Sequence, residues 1–468
     1  MQVSVLNGVY TDGSSDFRTS YPRNMIPVPK STGIAQGYLR PVDGVIAQGT
    51  GPGKDRGGVN WNGVCYRVMG SKLCSISSAG AITVLGEVGG TTELVTLDYS
   101  FDRLTIASNN NLFYWSPTLG LVQVTDPDLG VCLDVLWVDG YFMTTDGTNL
   151  VVTELNDPLI ISPLKYGSSE VDPDPVKGLL KLRDEVCALN RYTVESFDNV
   201  GGTGFPFARI DGAQLTRGAV GTHAACVFME RLAFVGSGRN EAPAVWLGQN
   251  GQTAKLSTRE IDQVLSTYTE AQLASVQMEA RVDKGHQHLW ITLPDKALVY
   301  DGAATAVVGE PVWFSMTSGA TGNAQYRAWN LVWCYDKWLC GDPTSSSYGY
   351  LSSTLMTQHG AEVDWEFGTQ IAYNESRSAI FHEVELVCLT GRVAAGSSPK
   401  VWTSYSNDGV TDSVRRYISA GKQGQRNVRL SWLQQGRIGQ WRTQKFGGTS
   451  DALLSVARLE IRVEPLNV

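Results

Sequence analysis

His286 and His288 carry the best-formed chelating pattern in the chain. They flank Gln287 within an alternating apolar stretch, so a strand would aim both imidazoles at one face. Two imidazoles at that spacing can share a metal ion. The sequence places no third ligand beside them, so a packed pair is the preferred reading and no metal is assigned. Gly49-Thr50-Gly51-Pro52-Gly53-Lys54-Asp55 invites comparison with a phosphate-binding loop. Gln48 stands where that pattern needs a glycine, and Asp55 stands where Ser or Thr would hold magnesium. A plain flexible loop is expected there instead. His223, His359 and His382 are isolated, and no Gly-x-Ser-x-Gly, His-Glu-x-x-His or Cys–His arrangement stands out.

Ser406-Asn407-Asp408-Gly409 approaches the Ser-x-Asp-x-Gly-x-x-Trp motif of sialidase propellers. Its glycine falls one position early, and Asp412 and Ser413 stand where Trp is expected. A β-turn fits better. Glycoside hydrolysis needs two carboxylates across a cleft, and nothing in the sequence pairs them. No catalytic residue and no cofactor is therefore assigned. The aromatics Trp313, Phe314, Trp329, Trp333, Tyr335 and Trp338 read as packing between sheets rather than as a ligand platform.

What positions these residues is a repeated phrase: an apolar strand, a tight polar turn, a second strand. It centres near Val64–Val68, Leu94–Tyr99, Leu136–Val138, Leu179–Leu182, Cys226–Met229, Leu289–Leu293 and Leu331–Tyr335. A period of roughly 30 to 60 residues is the mark of a blade array, because one small sheet cannot bury both its faces alone. The fold class expected is all-β: a β-propeller of six or seven blades with a C-terminal β-sandwich-like domain and a short helical insertion. Seven phrases could also form six blades plus a capping hairpin. Hairpins are expected at Gly70-Ser71, Phe101-Asp102, Asp139-Gly140, Arg183-Asp184, Glu230-Arg231 and Asp336-Lys337.

Residues 1–57 are punctuated by Pro22, Pro27, Pro29, Pro41 and Pro52 and are expected to form an extended N-terminal arm. Residues 58–370 hold the propeller. Within it, Ile261, Val264, Leu265, Tyr268 and Leu273 at helical spacing, with a cap at Thr269, predict one or two helices near 256–274. Longer alternating strands over 371–468 predict the separate β-domain.

With 468 residues the chain exceeds one ordinary core, and its 42% apolar content can fill more than one. The eight cysteines are scattered through apolar strands without a CxxC pair, which favours a reducing compartment. The first residues lack the basic and apolar regions of a signal peptide, and no run of apolar residues is long enough to span a membrane. Charge is divided: from Arg377 to Val468 there are 13 Lys+Arg against 7 Asp+Glu, and the remainder carries 25 against 39. The basic residues lie among Trp and Val rather than in blocks, so a docking face is preferred to a nucleic-acid arm.

Three stretches resemble the packaged-DNA stabilisation, or tail hub, proteins of short-tailed bacteriophages. The first is Arg23-Asn24-Met25 with Pro27 and Pro29, then Gly37-Tyr38-Leu39-Arg40 and Gly44, leading to Arg56-Gly57 and Tyr66-Arg67-Val68. The second runs through Ser266, Tyr268-Thr269, Met278-Glu279, Leu293-Pro294, Val299-Tyr300-Asp301, Trp313 and Cys340-Gly341-Asp342. The third is Ser406-Asn407-Asp408-Gly409, Gly421-Lys422-x-Gly424, Arg429, Trp432, Gly436-Arg437-Ile438 and Arg458-Leu459-Glu460-Ile461. Two departures stand out: Thr411-Asp412 in place of Thr-Trp, and Leu433-Gln434-Gln435 in place of an Arg-rich stretch.

The resemblance implies a structural virion protein with no reaction centre. It implies a homo-oligomeric ring, similar to a hexamer, below the portal and its adaptor. Its other partners would be tailspikes or tail fibres and a tail needle or plug. Genomic DNA would pass through the lumen without sequence-specific binding. Assembly would take place in the host cytoplasm. A propeller hydrolase and a free-standing propeller adaptor or lectin are the alternatives.

Overall fold

The computed structural model describes the chain except for residues 7–8, 13–16, 31–34, 156, 373–376 and 467–468. Among the described residues, seven antiparallel sheets of four or five strands follow one another along the chain. Blade 1 opens with Asp55–Trp61, blade 2 with Thr96–Tyr99, blade 3 with Asp134–Val138 and blade 4 with Val176–Leu182. Blade 5 uses Ala225–Phe228 beside Gly218–Ala219, blade 6 opens with Gln277–Asp283 and blade 7 with Trp329–Cys334. Opening strands of successive blades touch, those of blades 6 and 7 through the Leu331 amide on Glu279, and the opening strand of blade 7 returns to that of blade 1. These strands are therefore the inner ones, and the sheets form a closed seven-bladed propeller. Each of the seven sequence phrases lies in a different blade.

Blade 7 is completed from the other end of the chain. Its three sequential strands end at Ser347–Ser352, and Gly44–Thr50 pairs antiparallel against that strand as the outermost member. The seam needs close backbone approach: a Cβ on Gly349 would lie 2.1 Å from the Ile46 carbonyl oxygen. The stretch compared above with a phosphate loop is a loop only over residues 51–54, between two strands. Gly49 and Thr50 belong to the closing strand, and Asp55 begins blade 1 in a buried position.

The arm expected over residues 1–57 is divided between two domains. Met25–Pro29 and Gly37–Pro41 pair with each other, and the second joins Ser455–Pro465 in a sheet with Ala379–Leu389 and Leu430–Ile438. Gln2–Val3 pairs with the same C-terminal strand. A second sheet holds Asp364–Ala372, Trp441–Thr449, Lys400–Ser406 and Arg416–Ser419. Phe367, Phe381, Phe446 and Trp432 pack between these sheets as a sandwich core. Met25–Pro29 lies at a sheet edge, where proline costs no ladder hydrogen bond.

Between blades 5 and 6 lie helices α1 (Arg259–Leu265) and α2 (Glu270–Ala274). Thr269 caps α2 by accepting from the Gln272 amide, and Gln272 accepts in return from the Thr269 amide. A third helix, α3 (Gly302–Val308), has no periodic pattern to announce it; Asp301 caps it. Two hairpins sit one residue earlier than expected, at Met229-Glu230 and Tyr335-Asp336, all four residues having positive φ.

Gly349→Val would force the closing strand away from its partner. It is expected to lower stability by about 1–3 kcal/mol, the usual range for overpacking. Amide hydrogen exchange should speed up selectively across Gly44–Thr50 and Ser347–Ser352; uniform protection there would contradict the account of the seam.

Candidate functional site

Adjacent blades are separate sheets, so side chains must hold them together. On the inner strands, carboxylates take this role. Asp98 of blade 2 accepts the Trp137 amide of blade 3 at 2.6 Å. Asp134 of blade 3 accepts the Leu179 amide of blade 4 at 2.7 Å. Glu279 of blade 6 accepts the Leu331 amide of blade 7 at 2.8 Å. Across the remaining seams, Thr222 donates to the Lys177 carbonyl, the Met278 amide to the His223 carbonyl, and Arg56 to the Glu93 and Gly89 carbonyls.

A denser knot joins blades 7 and 1. Arg67 and Asp55 form a fully buried two-bonded ion pair at 2.7 and 2.8 Å. Asn330 donates to Asp55, and Gln277 donates to Asn330. Burial pulls the Arg67 guanidinium down, but the Asp55 carboxylate overrides this and holds it above its ordinary range. Burial pushes Glu279 up to about 7, against the Leu331 N–H and the Arg67 charge. Burial likewise pushes Asp134 up to about 6, against the Thr96 hydroxyl and two backbone N–H groups. These acids are occupied in joining blades rather than free to act on a substrate.

The propeller and sandwich meet at Arg23-Asn24. The Arg23 amide donates to the Glu366 carbonyl, and its guanidinium pairs with Asp364 at 2.7 Å and Glu366 at 3.1 Å. Buried Asn24 donates from its backbone to the Ser315 carbonyl of blade 6. Its side chain donates to the Thr317 and Asp364 carbonyls and accepts the Thr317 amide. Both residues stand in the first stretch of family resemblance, but no local signal marks them as the joint. Asp43 adds a second tie, between Arg40 of the sandwich and Arg281 of blade 6, each at 3.2 Å.

The residues singled out in the sequence do not converge on one site. Gly37, Tyr38, Leu39 and Arg40 lie on a sandwich strand, with Leu39 fully buried. Val299, Tyr300 and Asp301 end the third strand of blade 6. In Ser406-Asn407-Asp408-Gly409, Ser406 donates to Asp408, which accepts the Val410 and Thr411 amides, forming a turn. Trp432 donates to the Arg416 carbonyl, Gly436 has φ of 77°, and Arg437 reaches the Ser378 hydroxyl at 2.6 Å. Of the two departures noted in the sequence, Gln434 accepts from Arg416, and Asp412 pairs with Lys445 at 2.8 Å. Val410, Val414, Tyr417 and Leu433, in or near these segments of the chain, are exposed.

The hairpins joining first and second strands all emerge at one end of the ring. That end exposes Phe101, Met229, Val282 and Trp333. At the other end the axis opens into a cavity bordered by Glu93, Asn109, His223, Leu293 and Trp329. Burial holds His223 down at about 4, so it stays neutral there at ordinary pH. Among the described residues no helix is long and apolar enough to cross a membrane.

A rigid propeller held by internal carboxylate ties and fused to a β-sandwich defines a structural scaffold. The model of the family described as bacteriophage P22 Gp10, β-propeller, matches residues 1–356, and that of its β-sandwich matches residues 364–464. The chain belongs to the bacteriophage P22 Gp10 family, which is structural, and it is not an enzyme. A relative is the tail hub protein gp10 of Salmonella phage P22, 25% identical over 485 residues and covering 99% of each chain. Among solved structures, the N-terminal domain of Nup159 aligns at TM-score 0.42 and 8% identity, over 72% of this chain and 99% of its own. The Neurospora crassa Pan2 WD40 domain aligns at TM-score 0.42 and 10% identity, over 66% and 94%.

Glu279 gives a test of the inner network. Its folded pKa is raised from 4.5 to about 7, so it stabilises the fold fully below the unfolded pKa, and that contribution is lost as pH rises through about 7. Glu279→Gln keeps an acceptor for Leu331 and removes the titration. The variant should match the parent near pH 4 and exceed it by up to ~3 kcal/mol near pH 9, read from denaturant midpoints. An unchanged pH profile would contradict the assignment.

Proposed function

We propose that this chain is the tail hub of a short-tailed phage virion. Copies assemble as a ring, similar to a hexamer, below the portal adaptor. The ring extends and helps close the DNA channel, retains the packaged genome, and anchors tailspikes or fibres and a needle or plug. Assembly takes place in the host cytoplasm. The observation that carries this reading is the match of both family models in series, over 1–356 and 364–464, together with a tail hub relative aligned end to end. The fold suits such a role, because a closed ring of blades is stiff and its ends and the sandwich offer separate surfaces.

The charge division supports a finer statement. Residues outside 377–468 carry 25 Lys+Arg against 39 Asp+Glu, and we assign the channel wall to this acidic portion. A basic wall would grip DNA, which presents about one charge per 1.7 Å of axis. An acidic wall avoids the grip, at a repulsion confined to roughly 8–10 Å by salt. The basic 377–468 segment would then face a protein neighbour, where complementary charge orients docking. The exposed residues Val410, Val414, Tyr417 and Leu433 mark one candidate contact.

Particles assembled without this chain should package DNA and then lose it, scored by nuclease-sensitive genome release. Full retention would end the proposal. Separately, the purified protein should show no duplex DNA affinity that collapses between about 50 and 200 mM salt by fluorescence anisotropy. A steep salt slope would refute the acidic wall.

A further inference from the structure

Blade 6 holds a cluster that neither the blade ties nor the scaffold role employs. His286 and His288 lie on its second strand, paired on both sides, and point to one face. Asp301 ends the next strand and is the direct cross-strand partner of His288, so it reaches the same face. His286 Nδ1 lies 2.5 Å from Asp301 Oδ2, and His288 Nε2 lies 3.5 Å from the same oxygen. One ligand-type atom from each residue falls within 4.8 Å of the others. The two imidazoles stack with centroids 5.0 Å apart.

Two features point to a ligand. Asp301 Oδ1 is occupied, accepting from the Gln287, Ala303 and Ala304 amides, which leaves Oδ2 turned toward the imidazoles. His288 is 1% exposed, yet its Nδ1 has no hydrogen-bond partner and its Nε2 has only the long 3.5 Å approach to Asp301 Oδ2. A buried imidazole left in that state is costly, and a cation would use its lone pair. We propose that His286, His288 and Asp301 bind one divalent transition-metal ion, zinc fitting best, as a buried structural clip.

The ligand set decides the class. Two nitrogens and one carboxylate oxygen suit zinc and its neighbours, whereas calcium and magnesium take oxygen shells. Tetrahedral zinc with bonds of about 2.0–2.2 Å puts its ligand atoms roughly 3.3–3.5 Å apart. The His288–Asp301 separation already fits. The His286–Asp301 contact must open by about 1 Å, a small ring rotation. Beside His288, a void with room for one water is bordered by Arg281, Trp290 and Tyr326. Arg281 Nε, Trp290 Nε1 and the Tyr326 hydroxyl are themselves unpartnered, so a water there would accept the His288 Nδ1–H while Nε2 binds the metal. Arg281 would repel a cation, but Asp43 at 3.2 Å and Asp283 at 3.1 Å already pair with it. A water as fourth ligand would complete the tetrahedron, and burial of all three side chains keeps substrates from it, so the clip is mechanical. It would tie the second and third strands of blade 6 to α3, whose first residue, Gly302, packs on Phe228 and Met229 of blade 5.

The test uses the full chain, purified without a polyhistidine tag or chelator and dialysed after loading with zinc sulfate. Elemental analysis should find about one zinc per chain, bound with a melting temperature a few degrees higher than after chelation. Asp301→Asn keeps an α3 cap and removes the charge; it should weaken zinc at least about tenfold while the protein stays folded. X-ray absorption of the zinc-loaded parent should show nitrogen and oxygen neighbours with imidazole scattering, a readout that needs no variant. Less than roughly a tenth of an equivalent of zinc, or a sulfur shell from the cysteines, would overturn the proposal. So would equal retention by a folded Asp301→Asn protein.

Discussion

Closure of the ring by Gly44–Thr50 is the constraint on which the rest of the molecule depends. A row of blades left open would present two unpaired sheet edges and an uncovered face at each end. Lending the outermost strand of blade 7 from the N-terminal side removes that defect. It also fixes the neighbouring segment: Gly37–Pro41 is three residues away, so the sheet it joins must lie against the last blades. Ring and sandwich are consequently joined through one continuous stretch. Arg23-Asn24 and Asp43 then lock the angle with ion pairs and backbone hydrogen bonds. For a protein whose family is structural, stiffness at this joint matters as much as stiffness within the ring.

The inner strands show how polar groups can knit apolar sheets. Blades contact through side chains, so the amides at the seams need acceptors from a neighbour. Asp98, Asp134 and Glu279 provide them, and burial makes the charged forms of Asp134 and Glu279 costly near neutral pH. A carboxylate that missed its amide would be a buried charge without compensation.

The local order was legible because hairpins and alternation are local signals. Asp139-Gly140, with φ of 48° and 89°, is the kind of turn that announces itself. Met229-Glu230 and Tyr335-Asp336 adopt positive φ without Gly or Asn at either position, so residue types alone set their turns one residue late. The N-terminal strands are hidden for another reason: prolines make 25–41 look irregular, and the strand that joins Gly37–Pro41 to the sandwich lies more than 400 residues downstream. The same limit applies to the blade 6 cluster. The shared face of His286 and His288 follows from strand period, but Asp301 joins them only through register, which a sequence does not display.

Strands at the two ends of the chain share one sheet, with the Met1 amine donating to the Ile461 carbonyl. A ribosome adding about 5–20 residues per second exposes the first strands long before their partners exist. The sandwich therefore cannot fold until Ser455–Pro465 has been made, and blade 7 must wait until Ser352 has emerged. Contacts of such long sequence separation also slow folding after release. A nascent chain of this kind carries open strand edges until Ser455–Pro465 emerges, so a paired N-terminal strand doubles as a record that translation has passed that point.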